Sequence, residues 1–409
     1  MIRCGEAQEP SKRSPRNCLP VSVRRLRDSL IYKQGTVNVT TGKMKQSQPT
    51  GFLLKRYMTN DSTFARGEEM KKLINDPFKV TVESIEGYVR AYPDMVKLVG
   101  PHVVARKNAP IQGKVGVVVG GGSGHEPLFL GWVGYGMADA AVLGEVFAAP
   151  PSRLILEGTR ATDGGKGVLY VYGNYAGDNM NFDMAAETAR EEGIATETVR
   201  VWDDVASAPP DRVNDRRGLA ADLFVIKVAG AKAETGASLP EVKKSAEKAR
   251  DNCRTFAVAL SPATVPASGK PTFTIAENEM YFGIGAHGEK GVKKTNLLTA
   301  DETAEILVDA VVKDLPFSRN AEANLIVNGY GSTTLMELYI VNRKVHELLD
   351  RYGIRTHRTE VGSFLTTQEM AGCSVTLMRI DDELRELYDA PAYTPAFMRC
   401  SGYLAKFSV

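Results

Sequence analysis

Lys114 to Pro127 reads KVGVVVGGGSGHEP: a valine-rich run stops at three consecutive glycines, adds a serine and a fourth glycine, and presents His125 and Glu126. A run this dense in β-branched residues has the character of a parallel strand buried on both faces, and ligands of open α/β sheets bind beyond the carboxyl ends of such strands. The pattern therefore predicts a strand over 115–119, a glycine turn over 120–124, and His125 at the edge of a site. Gly120, Gly121, Gly122 and Gly124 lack Cβ atoms, so they allow positive φ and let ligand atoms reach main-chain N–H groups. Turns of this kind also serve chain reversal alone.

Three familiar motifs nearly match and fail at nameable positions. A Walker A loop needs Gly-Lys-Ser/Thr for phosphates and Mg²⁺, and this loop has no lysine. A dinucleotide fingerprint starting at Gly120 and a nucleophile elbow starting at Gly121 both require glycine where His125 stands. The loop is built for a small ligand, and not for a nucleotide.

Length and charge narrow the class. The 409 residues predict two to three domains, and 43% hydrophobic content is enough for real cores. A net charge of +2 gives no global field for nucleic acid or an anionic membrane. Cys4, Cys18, Cys253, Cys373 and Cys400 are odd in number and form no CxxC, which predicts neither a disulfide framework nor a zinc site and fits a reducing cytoplasm. No apolar run approaches 18 residues. Residues 1–69 are basic, Ser/Thr-rich and aperiodic, and read as a disordered or mis-started extension, with MKKLINDP from Met70 resembling a natural start.

From Met70 the pattern predicts two α/β blocks, 70–255 and 256–409. Helices are expected at 81–91, 183–192 and 302–313, with a long one from Thr333. That long helix should bury Leu335, Leu338, Tyr339, Val345, Leu348 and Leu349 on one face. Strands are expected at 167–172, 221–227, 256–260 and 324–327, with a glycine turn at 328–331. Of five histidines, only His125 and His287 sit in loops stripped of bulk, GGGSGHEP and GIGAHGEKG. Asp178 stands in a turn, 176–179, after the strand ending at Tyr172. Neutral imidazole can take a proton from a hydroxyl or add its nitrogen to a carbonyl, and an aspartate can assist either job. A serine hydrolase using Ser123, His125 and Asp178 is an alternative, and the elbow spacing is against it.

Residues 70–397 resemble the substrate-binding subunit of dihydroxyacetone kinases. The likeness is carried by MKKLINDP (70–77), GGGSGHEP (120–127), DGGKGVL (163–169), NYAGD (174–178), TVPASGKPTF (264–273), ENEMYFGIGAHGEKG (277–291) and DAPAYTPAF (389–397). The resemblance implies two α/β domains, each with a central mixed β-sheet flanked by helices. It also implies a short-chain ketose, dihydroxyacetone or erythrulose, held as a hemiaminal through the ε nitrogen of His287. In this family His125 would be the proton acceptor for the terminal hydroxyl, Asp178 would hydrogen-bond the substrate, and Gly122, Ser123 and Gly124 would line the same pocket. No metal or cofactor is expected on this chain. The implied partners are a DhaL-type nucleotide-binding subunit holding ATP or ADP with Mg²⁺, or a phosphotransferase-system donor, together with a second copy in a cytoplasmic homodimer. Gly173 departs from the family, whose members often have a substrate-contacting lysine just before the Asn-Tyr. The gap suits a longer ketose, or else a ligand-sensing coactivator of the family.

Overall fold

A computed structural model describes residues 71–400. The extension expected over residues 1–69 and the start at Met70 lie outside the described residues. The first block runs α1 (Val80–Ala91), β1 (Val96–Gly100), β2 (Val103–Arg106), β3 (Gly116–Ser123), β4 (Ala140–Val146), α2 (Ser152–Thr162), β5 (Val168–Gly173), α3 (Ala176–Glu191) and β6 (Thr196–Val201). Two helices follow, α4 (Asp222–Glu234) and α5 (Leu239–Asp251). Next come β7 (Cys253–Ser261), the short ribbon β8 (Thr264–Val265) and β9 (Lys270–Pro271), then β10 (Glu279–Phe282), β11 (Lys293–Asn296) and α6 (Ala300–Asp314). The chain closes with β12 (Glu322–Gly329), α7 (Leu335–Tyr352), β13 (Arg355–Gly362), β14 (Ala371–Ile380), α8 (Asp382–Asp389) and the ribbon β15 (Ala392–Tyr393) and β16 (Met398–Arg399).

The protein is α/β, with two mixed six-stranded sheets flanked by helices. The first has the order β1-β2-β4-β3-β5-β6, parallel from β4 to β6 with β1 and β2 antiparallel at one edge. The second has the order β11-β10-β7-β14-β12-β13, antiparallel except for β12 beside β13. Capping boxes start the helices of the second block: Thr299 with Glu302 at α6 and Thr334 with Glu337 at α7, each satisfying N–H groups that a helix start leaves free. One buried cluster joins the sheets, running from Val117 and Val119 through α4 to Ala257, Ile326 and Met378. Among the described residues no helix is long and apolar enough to cross a membrane.

Five expectations need correction. The strand expected at 221–227 is the start of helix α4, in which every residue from Asp222 to Ala231 is buried. A helix packed on all sides by β3, β5, α5 and α8 carries no polar face, so its apolar run imitates a buried strand. The glycine turn expected at 120–124 is mostly strand, because β3 continues through Ser123 and only Gly124 has positive φ, at 92°. Asp178 lies in the first turn of α3, which begins seven residues earlier than the predicted helix. Asn328 and Gly329 belong to β12, and on α7 Leu335 and Tyr339 face solvent while Leu338, Val345, Leu348 and Leu349 are buried.

Candidate functional site

Strand order explains where a pocket opens. The chain leaves β3 for β4 on one side and returns through α2 to β5 on the other, so β3 and β5 flank a topological switch point. Their pairing ends at Val119 opposite Val171, while β3 goes on beside β4 as far as Ser123 opposite Val146. Gly120, Gly121 and Gly122 therefore form one wall of a crevice with Gly173 across it. These glycines are fixed by close approach: a Cβ would meet Val142 O at 2.5 Å from Gly120, the Phe129 ring at 2.5 Å from Gly121, and the backbone of Phe147 and Ala148 at 2.8 Å from Gly122.

Both singled-out histidines enter this crevice, His125 from the end of β3 and His287 from the loop after β10, with Asp178 from α3. The imidazole centroids of His125 and His287 are 4.9 Å apart, and Tyr175 and Phe147 stand 4.9 and 5.6 Å from His287. His125 is buried, and its Nδ1 lies 2.7 Å from the Thr366 carbonyl oxygen. A carbonyl only accepts, so Nδ1 carries the hydrogen and Nε2 keeps its lone pair. His287 is held in the same way: its Nδ1 is 3.0 Å from Glu289 Oε1, and its main-chain N–H donates to Oε2 at 2.9 Å. Two imidazoles, each with its Nδ1 engaged, thus share one pocket.

The electrostatics follow from burial and neighbours. Burial, reinforced by the nearby His287, pushes His125 down to about 3, which keeps it neutral. Burial pushes the Asp178 carboxyl up to about 6 against the opposing pull of His287, and its Oδ1 has no hydrogen-bond partner. Burial works against ionisation of Glu289 too, but the hydrogen bond and charge of His287, helped by Arg217, hold that carboxyl at about 2. Arg217 is in turn fixed by Asp204, at 2.7 Å.

The remaining predicted residues separate. Gly122 lines the pocket with the histidines and Asp178. Ser123 and Gly124 line a neighbouring depression instead. The Ser123 hydroxyl donates to Gly144 O at 2.8 Å, and Gly124 N–H is taken by the Glu126 carboxylate at 3.1 Å. Ser123 is thus spent on a backbone carbonyl and forms no nucleophile–base pair with His125. Sequence reasoning missed Glu289, Tyr175, Thr366 and Asp222. Glu289 and Tyr175 stood inside motifs already marked, GIGAHGEKG and NYAGD. Thr366 acts through a main-chain carbonyl 241 residues from His125 and carries no signature.

Comparison with known proteins identifies the family. The Dak1 domain family matches residues 86–396. The chain is 43% identical over 330 residues to the dihydroxyacetone-binding subunit DhaK of PTS-dependent dihydroxyacetone kinase 2 from Listeria innocua, covering 80% of this chain and 99% of that one. It is 41% identical over 334 residues to L-erythrulose 1-kinase from Mycolicibacterium smegmatis, covering 81% of this chain but 58% of that longer protein. Among solved structures, the dihydroxyacetone kinase operon co-activator Dha-DhaQ superposes with a TM-score of 0.73 at 33% identity, over 78% of this chain and 98% of that one.

Proposed function

The chain belongs to the Dak1 family, and we propose that it is the ketose-binding subunit of a dihydroxyacetone-type kinase, acting on dihydroxyacetone or a close relative such as erythrulose. The observation that carries this reading is the pair of oriented imidazoles, each with its Nδ1 engaged and its Nε2 free. The blocks 70–255 and 256–409 act as two α/β domains that contribute one histidine each.

His287 Nε2 adds its lone pair to the ketone carbon, the carbonyl π pair moves to oxygen, and that oxygen takes a proton from Asp178 or water. The product is a hemiaminal carrying an imidazolium, whose charge the Glu289 carboxylate balances. Covalent capture compensates for the few hydrogen bonds a very small ligand offers and selects carbonyl compounds over glycerol. His125 Nε2 then accepts the proton of the terminal hydroxyl as that oxygen attacks the phosphoryl group, a reaction in which positioning does most of the work. The phosphoryl group comes from a partner, either a DhaL-type subunit with ATP or ADP and Mg²⁺ or a phosphotransferase-system protein, and the ketose subunit acts as a homodimer. The name of the Listeria relative, a binding subunit, supports this division of labour. So does the erythrulose kinase, whose chain extends well beyond the matched part.

Likeness to Dha-DhaQ favours one second reading, a ketose sensor without turnover. The two are separated by reconstitution with a DhaL-type subunit and nucleotide, alongside carbon-13 NMR of ketone-labelled dihydroxyacetone. The kinase reading expects product from the wild type, loss of adduct and product in His287→Ala, and retained adduct with at least about a hundredfold less product in His125→Ala. Adduct without product from any donor would establish the sensor, and absence of adduct in the wild type would refute ketose capture at His287.

A further inference from the structure

The pocket holds a second carboxyl that the proposed chemistry leaves unused. Asp222, the first residue of α4, is 2% exposed and lines the crevice with Gly173 and Asp178. Its Oδ1 has no hydrogen-bond partner, and every charge acting on its titration is acidic, from Asp203 and Asp178. Burial and these neighbours push its carboxyl well above the usual carboxylate range, which favours the protonated acid, a group able both to donate and to accept a hydrogen bond.

Nearby Asp203 shows what a structural aspartate looks like here. Also fully buried, it accepts from the main-chain N–H of Leu219 at 2.7 Å and of Ala221 at 3.1 Å, and from the Thr255 hydroxyl. Its lone pairs are used, as those of buried acids normally are. Asp222 stands at the start of the same helix without such partners. An unpaired buried polar group is costly, so a carboxyl left this way in a pocket wall points to a partner arriving with the ligand.

Gly173 gives that partner access. A Cβ there would lie 3.6 Å from Asp222 Oδ2 and 3.1 Å from the Tyr175 ring, whose centroid is 4.9 Å from that of His287. Any side chain at 173 would therefore crowd Asp222 and the Tyr175 ring. With glycine present, His287, Tyr175 and Asp222 all line the same pocket.

We infer that Asp222 is a specificity-determining residue, whose carboxyl hydrogen-bonds a hydroxyl of the ketose chain beyond the third carbon, so that the pocket selects tetruloses and longer ketoses over dihydroxyacetone. The inference rests on the proposed ketose capture at His287 and adds the part of the substrate that Asp222 reads. Dihydroxyacetone offers no such hydroxyl and leaves the carboxyl unpaired.

The test is calorimetric titration of the full chain with erythrulose and with dihydroxyacetone, using wild type, Asp222→Ala and Asp222→Asn. The wild type should bind erythrulose more tightly. Asp222→Ala should weaken erythrulose about tenfold or more while changing dihydroxyacetone less than about threefold, and Asp222→Asn, which keeps the shape and hydrogen-bonding capacity, should recover part of the loss. An erythrulose-to-dihydroxyacetone ratio unchanged in both variants overturns the inference and leaves ketose capture standing. A wild type that binds neither ketose overturns ketose capture itself. Thermal melting guards against misfolding, since removing an uncompensated buried acid should leave the variants at least as stable as the wild type.

Discussion

Glu289→Gln isolates the orientation of His287 from its presence. The carboxylate lies 3.0 Å from His287 Nδ1 and accepts the main-chain N–H of the same residue at 2.9 Å. Its carboxyl sits at about 2 instead of the ordinary 4.5, a preference for the ionised form worth about 3 kcal/mol. His287 shares that preference with Arg217 and the loop backbone, and the Glu289 side chain is 31% exposed, so solvent screening reduces the figure further. About 1–2 kcal/mol remains for the imidazole contact, and that contact should strengthen as the ring becomes an imidazolium in the adduct. The glutamine amide keeps the volume but can turn its NH₂ toward Nδ1, favouring the tautomer with hydrogen on Nε2, which has no lone pair to add. Ketose affinity should therefore fall about 10–30-fold, with a matching fall in the NMR signal of the tetrahedral carbon. The fold should be unaffected, as read by thermal melting. A Glu289→Gln protein that forms as much adduct as the wild type would refute the idea that this carboxylate sets the nucleophile.

Two further outcomes follow from burial. Asp178 holds its proton to about pH 6 in the folded chain and to about 4 when unfolded, so the folded state binds more protons in that window and stability declines as pH rises through it. The resulting penalty, up to about 3 kcal/mol, is fully present above pH 6, so Asp178→Asn should remove the slope and raise stability at pH 7 while impairing ketose binding. Denaturant unfolding at pH 4 and 7 reads this, and parallel pH profiles for the two proteins would contradict it. Gly122→Ala places a Cβ 2.8 Å from Ala148 N and Phe147 Cα, backbone atoms that cannot swing away. It should cost about 1–3 kcal/mol, visible as a lower melting temperature, and an unchanged melting point would show that this end of β3 relaxes freely.

Much of the site was legible because its chemistry depends on residue types placed in unusual local settings. His125 and His287 stood out in loops without bulk, and Asp178 followed a predicted strand. What could not be read was long-range. The tautomer of His125 depends on the carbonyl of Thr366, a group every residue has, brought in by the loop after β13. Asp222 was hidden for a different reason: it lies inside the run whose pattern predicts a strand, and a strand at 221–227 gives it no place in a pocket. The misassignment and the missed residue have one cause, since the core that erases the polar face of α4 also buries its first carboxyl.

The low value for His125 has a consequence for the proposed transfer step. A base at about 3 is reliably unprotonated at pH 7 but has little driving force for taking a hydroxyl proton. Its depression comes first from burial and then from the positive charge available at His287, so negative charge entering the pocket acts in the opposite sense. A phosphoryl donor brings that charge. On the proposed reading, His125 is therefore a weak base while ketose is merely held and a stronger one when donor and acceptor are both in place. Proton removal is then tied to the arrival of the partner, and the captured ketose keeps its hydroxyl until a phosphoryl group is there to receive it.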